Sequence, residues 1–182
     1  VTAKRGCEVF QPSSRKASCN YVVGYDGSIG LCVEEKDRSW CSGGTDKKGN
    51  PIRVNGISGS SNDYQAVTIE VASDATHPYA ITEKAMAALI ELCADICRRN
   101  GIKQLLWKGD KTLVGKVAQQ NLTVHRWFAN KACPGDYIYE RLGDIAAKVN
   151  AKLGVSFDHT TQAIPESKVP YKVRITATDL RI

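Results

Sequence analysis

His125 and Cys133 lie close together in the sequence and carry an imidazole and a thiol. Imidazole nitrogen and thiolate sulfur are preferred zinc ligands, and a catalytic zinc usually takes three protein ligands and keeps one position open for water or substrate. Lys131 lies between them and would supply a cation that stabilises an oxyanion. A single His and a single Cys at this spacing are more often packing residues, so the pair alone leaves both interpretations open.

The residues around this pair predict how it is held. Residues 121–124 alternate polar and apolar side chains and predict a short strand, so His125 would lie where the strand gives way to a loop. The turn residues Pro134 and Gly135 precede Asp136, a candidate N-cap for a helix over residues 137–153. A cysteine just before a helix N-terminus is well placed to form a thiolate.

A second candidate group is the carboxylate of Glu70. Residues 66–72 are rich in β-branched side chains and predict a central strand. A carboxylate inside such a strand costs several kcal/mol unless it faces a cleft, a metal or a partner, and burial would raise its pKa towards that of a general base. The alternative is a solvent-exposed face shared by Thr68 and Glu70, because side chains alternate along a strand.

The segment HRWFANKACPGDY resembles the zinc-binding segment of the N-acetylmuramoyl-L-alanine amidases of the amidase type 2 and peptidoglycan recognition protein superfamily. The segments SSRKASCNYVVGYDGSIG, EEKDRSWCS and NDYQAVTIEVASD agree with it in order and spacing, and the resemblance runs from about Cys7 to Gly154. It implies an α/β fold with a mixed central β-sheet flanked by helices. It also implies hydrolysis of the amide between N-acetylmuramic acid and the L-alanine of the peptidoglycan stem peptide.

The resemblance also implies roles for individual residues. His125 and Cys133 would be zinc ligands, Lys131 would lie over the reacting carbonyl, and Glu70 would be the catalytic base. Trp40 and Asn20 would contact substrate. For Trp40 the alternative is a partly exposed edge of the core.

Two departures from the family stand out. The first zinc ligand of the family is a His after an N-terminal strand, and neither His77 nor His159 matches it, so we expect this ligand upstream of Val1. Two ligands would hold zinc more weakly than three, and this fragment would then be metal-poor or inactive although its parent is active. Cys19 replaces a Tyr found in short phage amidases, which moves the base role to Glu70.

Two other functions remain open at this point. The missing His is compatible with a non-catalytic peptidoglycan-binding module. Alternatively, Cys133 would be the nucleophile of a thiol hydrolase and His125 its base.

The remaining patterns predict a single α/β catalytic domain over residues 1–154, lacking its N-terminal strand, with a surface insertion at 42–61. Its other predicted elements are the second half of a helix at 1–10, a hairpin turning at Asp26-Gly27, a helix at 83–99 capped by Thr82, and a strand at 103–107. Residues 155–170 predict a linker. Residues 171–182 resemble the opening strand of a bacterial Src-homology-3-like wall-binding domain, and the alternative is a strand that pairs back onto the catalytic sheet.

Composition limits the partners. The net charge of +6 and the pI near 8.9 favour an anionic partner such as a teichoic-acid-rich wall, but the Lys and Arg are scattered, which argues against nucleic acid. No apolar run approaches the roughly 20 residues of a membrane span. We expect a monomer that acts on the bacterial cell wall, either a phage endolysin or a bacterial autolysin, made in the cytoplasm without a visible signal peptide.

The seven cysteines are an odd number and leave the disulfide state open. Cys93 and Cys97 lie on one face of a predicted helix, where small buried hydrophobic side chains are expected. Four others can pair in principle, and we expect a reduced chain: Cys7, Cys19, Cys32 and Cys41.

Overall fold

The computed structural model describes residues 1–50 and 61–155 and the backbone of residues 172–174. Its helices are α1 (Ala3–Phe10), α2 (Glu83–Arg99), α3 (Asp136–Tyr139) and α4 (Leu142–Lys152). Its strands are β1 (Tyr21–Val23), β2 (Ile29–Leu31), β3 (Ile69–Val71) and β4 (Lys172–Arg174). Residues 51–60 of the predicted insertion, and nearly all of the predicted linker, lie outside the described residues.

The strands form a mixed sheet in the order β3-β1-β2-β4. β1 pairs antiparallel with β2 and parallel with β3, and β4 pairs parallel with β2. The predicted fold class, a mixed β-sheet flanked by helices, is confirmed. The backbone of β4 adopts the arrangement of the alternative interpretation for that segment, and the wall-binding domain at 171–182 stays a prediction.

The β1–β2 hairpin forms where the sequence predicted it, but its turn is of a different type. The expected turn needs positive φ at both Asp26 and Gly27. Only Gly27 has it, at 83°, and the Gly27 amide donates to the carbonyl of Gly24. A three-residue loop that ends on a left-handed glycine closes the hairpin instead.

Helix α2 has the predicted boundaries because both of its ends carry specific capping residues. The Thr82 side chain accepts a hydrogen bond from the Ala85 amide, and Gly101 follows the last turn with a φ of 66°. The apolar face of α2 packs against α4 and the sheet in the main hydrophobic core. Cys93 and Cys97 are 9% and 2% exposed within that core, as predicted.

The first and last predicted helices need correction. Helix α1 begins at Ala3 with Thr2 as its N-cap, so it is not the second half of a longer helix. The helix expected at 137–153 is divided into α3 and α4. Gly135, with a φ of 83°, is the N-cap of α3, and Asp136 is its first residue.

The strands expected at 103–107 and 121–124 are wrong, since the structure assigns no strand to either segment. The backbones of the two segments are joined at the carbonyl of Leu106, which accepts from the amides of Asn121 and Leu122, and side-chain amides bond several of the other backbone groups. The Asn150 side chain accepts from the amide of Leu105 and donates to its carbonyl. Asn121 likewise accepts from the amide of Leu106, so these backbones are satisfied without a regular ladder.

The two faces of the sheet have cores of different size. The face under α2 and α4 carries the large cluster of aliphatic and aromatic side chains. The face under α1 carries a small cluster made of Ala3, Cys7, Cys19 and Val22. Within residues 1–50 and 61–155, no helix has the length and apolarity needed to cross a membrane.

Candidate active site

A cavity of about 370 Å³ opens beside β3, which is an edge strand of the sheet. Its wall includes β3, residues 122–125 and residues 132–135, and its inner side reaches the core residues of α2 and α4. Glu70, His125 and Cys133 all line it. The structure therefore brings together the three side chains that the sequence singled out, although they come from separate segments.

Glu70 is held at the cavity by a neighbouring thiol. It lies opposite Val22 in the β1–β3 register and is half-buried. Its Oε1 accepts a hydrogen bond from the Cys41 thiol over 3.3 Å. The alternative of a solvent-exposed strand face is wrong, because Thr68 on the same face is only 7% exposed.

The segment that carries Cys41 is fixed by a buried carboxylate. Asp63, which is 5% exposed, accepts hydrogen bonds from the backbone amides of Cys41 and Ser42 at 3.1 and 2.7 Å. The hydroxyls of Ser42 and Ser61 donate to the same carboxylate. A buried carboxylate with this many donors fixes the backbone geometry, so the Cys41 sulfur is held at a defined position beside Glu70.

The imidazole of His125 is oriented by a backbone carbonyl. His125 starts a short 3-10 helix, His125–Trp127, and its Nε2 lies 3.1 Å from the carbonyl oxygen of Gly43. Since a carbonyl only accepts hydrogen bonds, Nε2 carries the proton, and the lone pair of a neutral ring is then on Nδ1. This is the arrangement in which a metal-binding His is commonly found.

Arg126 holds the loop that carries Cys133. Its side chain donates to the carbonyls of Ala132 and Cys133, at 2.6 and 3.3 Å, and to the carboxylate of Asp136 at 2.9 Å. Its backbone amide also donates to the Cys133 carbonyl. At the end of the loop, a Cβ on Gly135 would lie 2.7 Å from the Cβ of Tyr79, so only glycine fits.

The environment of Cys133 does not favour a free thiolate. Cys133 is exposed as a residue, but partial burial of its sulfur and the nearby carboxylate of Glu70 raise the pKa of the thiol, and Lys131 and Arg126 offset this only in part. The expected benefit of a helix N-terminus is small, because α3 has only 4 residues. The direction of this pKa shift favours the thiol, whereas the sequence predicted a position that favours the thiolate.

Two further predicted residues, Lys131 and Trp40, lie outside the cavity wall. Lys131 is exposed, yet it is near enough to affect the charge of Cys133. Trp40 is 57% exposed, and Arg38 lies between it and the ring of Tyr64. The roles of Lys131 and Trp40 stay predictions.

The expectation that Asn20 contacts substrate is wrong. It is 1% exposed, and its amide donates to the carbonyls of Val33 and Glu34 while its Oδ1 accepts from the amide of Thr68. These bonds join β1 to the neighbouring loops. They leave Asn20 a structural residue and not a substrate contact.

Within the described ranges, the candidate metal ligands at the cavity are His125 and Cys133. In residues 1–50 and 61–155, no group of three or more His, Cys, Asp or Glu side chains could hold a metal ion. His77 does not complete the set, since it is paired with Asp136 through Nε2 at 3.0 Å. His159 lies outside the described residues.

Sequence reasoning missed two residues that shape this site. The sequence marks Cys41 only as a possible disulfide partner, although it belongs to the motif EEKDRSWCS. Arg126 lies inside HRWFANKACPGDY but was not singled out, because its bonds go mainly to backbone carbonyls. Side-chain hydrogen bonds to backbone carbonyls do not require particular residue types at the partner positions, so the spacing of residues does not predict them.

A family model described as N-acetylmuramoyl-L-alanine amidase matches residues 2–136, and the chain belongs to this amidase type 2 family. The matched range contains Glu70, His125 and Cys133. No curated protein and no solved structure matches the chain. The family assignment supports peptidoglycan amidase activity in general, with peptidoglycan as the substrate.

Proposed function

We propose that the protein is a zinc-dependent amidase that cleaves the bond between the lactyl group of N-acetylmuramic acid and the first L-alanine of the stem peptide. The single observation that carries this proposal is the shared cavity lined by Glu70, His125 and Cys133. A carboxylate next to an imidazole and a thiol is a donor set suited to metal-assisted hydrolysis.

The two candidate ligands fit zinc. His125 would bind through Nδ1, because Nε2 is committed to the carbonyl of Gly43. Cys133 would bind through its sulfur, and metal binding deprotonates a thiol whatever its pKa in the free protein. Bound zinc would supply a Lewis acid that polarises the scissile carbonyl and acidifies water.

The side chains of this chain would carry the proton transfers. Glu70 accepts a proton from the attacking water and later returns it to the leaving amine. Cys41 donates a hydrogen bond to Glu70 Oε1 and thereby fixes the direction in which the carboxylate faces. The ammonium of Lys131, on the loop beside Cys133, would stabilise the negative charge that develops on the carbonyl oxygen.

Substrate would reach this centre past the exposed ring of Trp40. Trp40 is followed directly by Cys41, which lines the cavity. An exposed indole at such a position offers a flat apolar surface for a sugar ring or a stem peptide. We assign it to substrate binding and not to the chemistry.

The test is an assay of purified peptidoglycan for newly formed alanine amino termini. Because two ligands would hold zinc weakly, we expect the chain to release them when zinc is supplied in excess, and we expect a chelator or His125→Ala to suppress the release. His77→Ala is the matched control, because His77 is exposed and pairs with Asp136 outside the cavity wall. Release that continues unchanged in His125→Ala, or new reducing ends without new alanine termini, would refute the proposal.

The two rival functions have less support. A thiol hydrolase needs a nucleophile with a lowered pKa, whereas the pKa of Cys133 is raised. Inhibition by alkylation without sensitivity to a chelator would nevertheless favour it. A binding module would retain peptidoglycan and release no alanine termini.

A further inference from the structure

Three cysteines meet on the α1 face of the sheet, where Cys41 of the candidate active site packs against the same cluster. Cys7 lies on α1, Cys19 precedes β1, and Cys32 follows β2. The sulfurs of Cys7 and Cys32 are 2.9 Å apart, and Cys32 packs against the cluster that contains Cys19. Cys7 and Cys19 are 2% and 0% exposed, and Cys32 is half-buried.

The surrounding structure leaves room for a bond between Cys7 and Cys32. Their separation exceeds the length of a disulfide bond, about 2.05 Å, by less than one ångström. Helix α1 packs directly on β2, which brings the two backbones together. Gly30 lies under the pair, and a Cβ at that position would come within 2.6 Å of the Cys7 sulfur.

We propose that Cys7 and Cys32 form a disulfide that ties α1 to β2 when the protein meets a small-molecule disulfide such as glutathione disulfide. This pairing would be a covalent modification of the fold, independent of any metal at the candidate active site. Cys19 is the competing partner, because it also contacts Cys32.

The reaction proceeds by two thiol–disulfide exchanges. Cys32 loses its proton, and its thiolate attacks one sulfur of glutathione disulfide, which releases one glutathione thiolate and leaves a mixed disulfide. Cys7 then loses its proton and attacks the Cys32 sulfur, and the second glutathione departs. The protein loses two electrons and two protons, and one glutathione disulfide is reduced to two glutathione thiols.

Cys32 reacts first because it is the more accessible of the two sulfurs. Hydrogen bonding to Cys19, together with burial, raises the pKa of Cys32 to about 12, although its contact with Cys7 lowers it. The Cys32 hydrogen bond and burial raise the pKa of Cys7 further still. Few thiolates are therefore present at neutral pH, so the exchange is slow and the reduced pair persists without an oxidant.

The disulfide would stabilise the protein measurably. The two cysteines are 25 positions apart, so the bond closes a loop of moderate size in the unfolded chain. Such a loop is expected to raise the melting temperature by about 5–10 °C. Cys93 and Cys97, four positions apart on α2, serve as buried thiols that should remain reduced.

The experiment is incubation with glutathione disulfide, alkylation of the remaining thiols, and tryptic mapping without reductant. Cys7 falls in the peptide of residues 6–15, and Cys19 and Cys32 fall in that of residues 17–36. We expect a link between these two peptides that survives in Cys19→Ala. We also expect the gain in melting temperature to persist in Cys93→Ala and to vanish in Cys32→Ser, whose half-buried position tolerates the change.

Three results would overturn the proposal. One is a bond confined to residues 17–36, which means that Cys19 pairs with Cys32. Another is a link between the peptides that disappears in Cys19→Ala. The third is the absence of any link involving Cys7 after the exposed Cys133 has been fully oxidised.

Discussion

The helical layer of α2 and α4 and the cavity beside β3 are built in different ways. The layer consists of apolar side chains at regular helical spacing that bury one another. In the cavity, single polar side chains from separate segments are each held by directed hydrogen bonds, as Cys41 is by Asp63 and the Cys133 loop is by Arg126. Stability should therefore depend mainly on the layer, and activity mainly on the cavity.

The largest expected effect is on activity alone. Glu70→Gln keeps the size of the side chain but removes the base, so we expect kcat on peptidoglycan to fall by about 10²–10⁴-fold. The melting temperature should stay close to that of the wild type. Glu83→Gln, on the exposed first turn of α2, is the control that should keep full activity. Undiminished turnover in Glu70→Gln would remove Glu70 from the mechanism.

The corresponding change in the helical layer should affect stability alone. Ile96 is 7% exposed in the main core, and Ile96→Ala should lower the free energy of unfolding by about 2–5 kcal/mol. Denaturant titration measures this loss, and activity per folded molecule should not change. A substitution at the exposed Lys84 should stay within about 0.5 kcal/mol. A specific loss of activity in folded Ile96→Ala would break the separation between layer and cavity.

A smaller effect on stability is expected where the layer meets the sheet. Burial alone would raise the pKa of Glu35, but hydrogen bonds from Asn100, Tyr21 and Arg99 outweigh it and lower that pKa. The ionised carboxylate of Glu35 therefore stabilises the folded protein above its unfolded-state pKa, about 4.3. This stabilisation is lost as the pH falls through its folded-state pKa. Glu35→Gln should cost about 1–2 kcal/mol at neutral pH.

The pH dependence of this stabilisation shows whether the folded protein favours the charged form of Glu35. The difference between wild type and Glu35→Gln should shrink as the pH falls from about 4.3 through the lowered folded-state pKa of Glu35, below which the carboxylate is protonated in both states. Thermal unfolding at several pH values measures it. A difference that grows in acid would show that the pairing does not favour the charged form.

The smallest expected effect concerns the thiol that contacts Glu70. Cys41→Ala removes a weak donor, so we expect kcat to fall by about 3–10-fold, corresponding to roughly 1 kcal/mol. Cys41→Ser, which restores a donor, should recover part of the loss. Cys97→Ala provides a buried cysteine outside the cavity wall for comparison. If Cys41→Ala and Cys41→Ser lose activity equally, the hydrogen bond does not position the carboxylate.

The same difference between layer and cavity decides what could be predicted from the sequence. Helix α2 was predicted with both ends, because its apolar period, Thr82 and Gly101 are local signals. Glu70, His125 and Cys133 were grouped through family resemblance, since no local pattern shows that three distant segments meet. The expected strands at 103–107 and 121–124 failed because the side chains of Asn121 and Asn150 satisfy those backbones. An alternation of polar and apolar residues does not show that side-chain amides bond the backbone of a segment.

The measurement that tests the central proposal most directly is a titration with Co²⁺, a spectroscopic substitute for zinc, followed by sulfur-to-metal charge-transfer absorption. We expect the band in the wild type to be lost in Cys133→Ser and to need much more metal in His125→Ala. It should be unchanged in His77→Ala and Cys32→Ser. A band that persists in Cys133→Ser, or an affinity that His125→Ala leaves unaltered, would show that the two side chains do not share one metal.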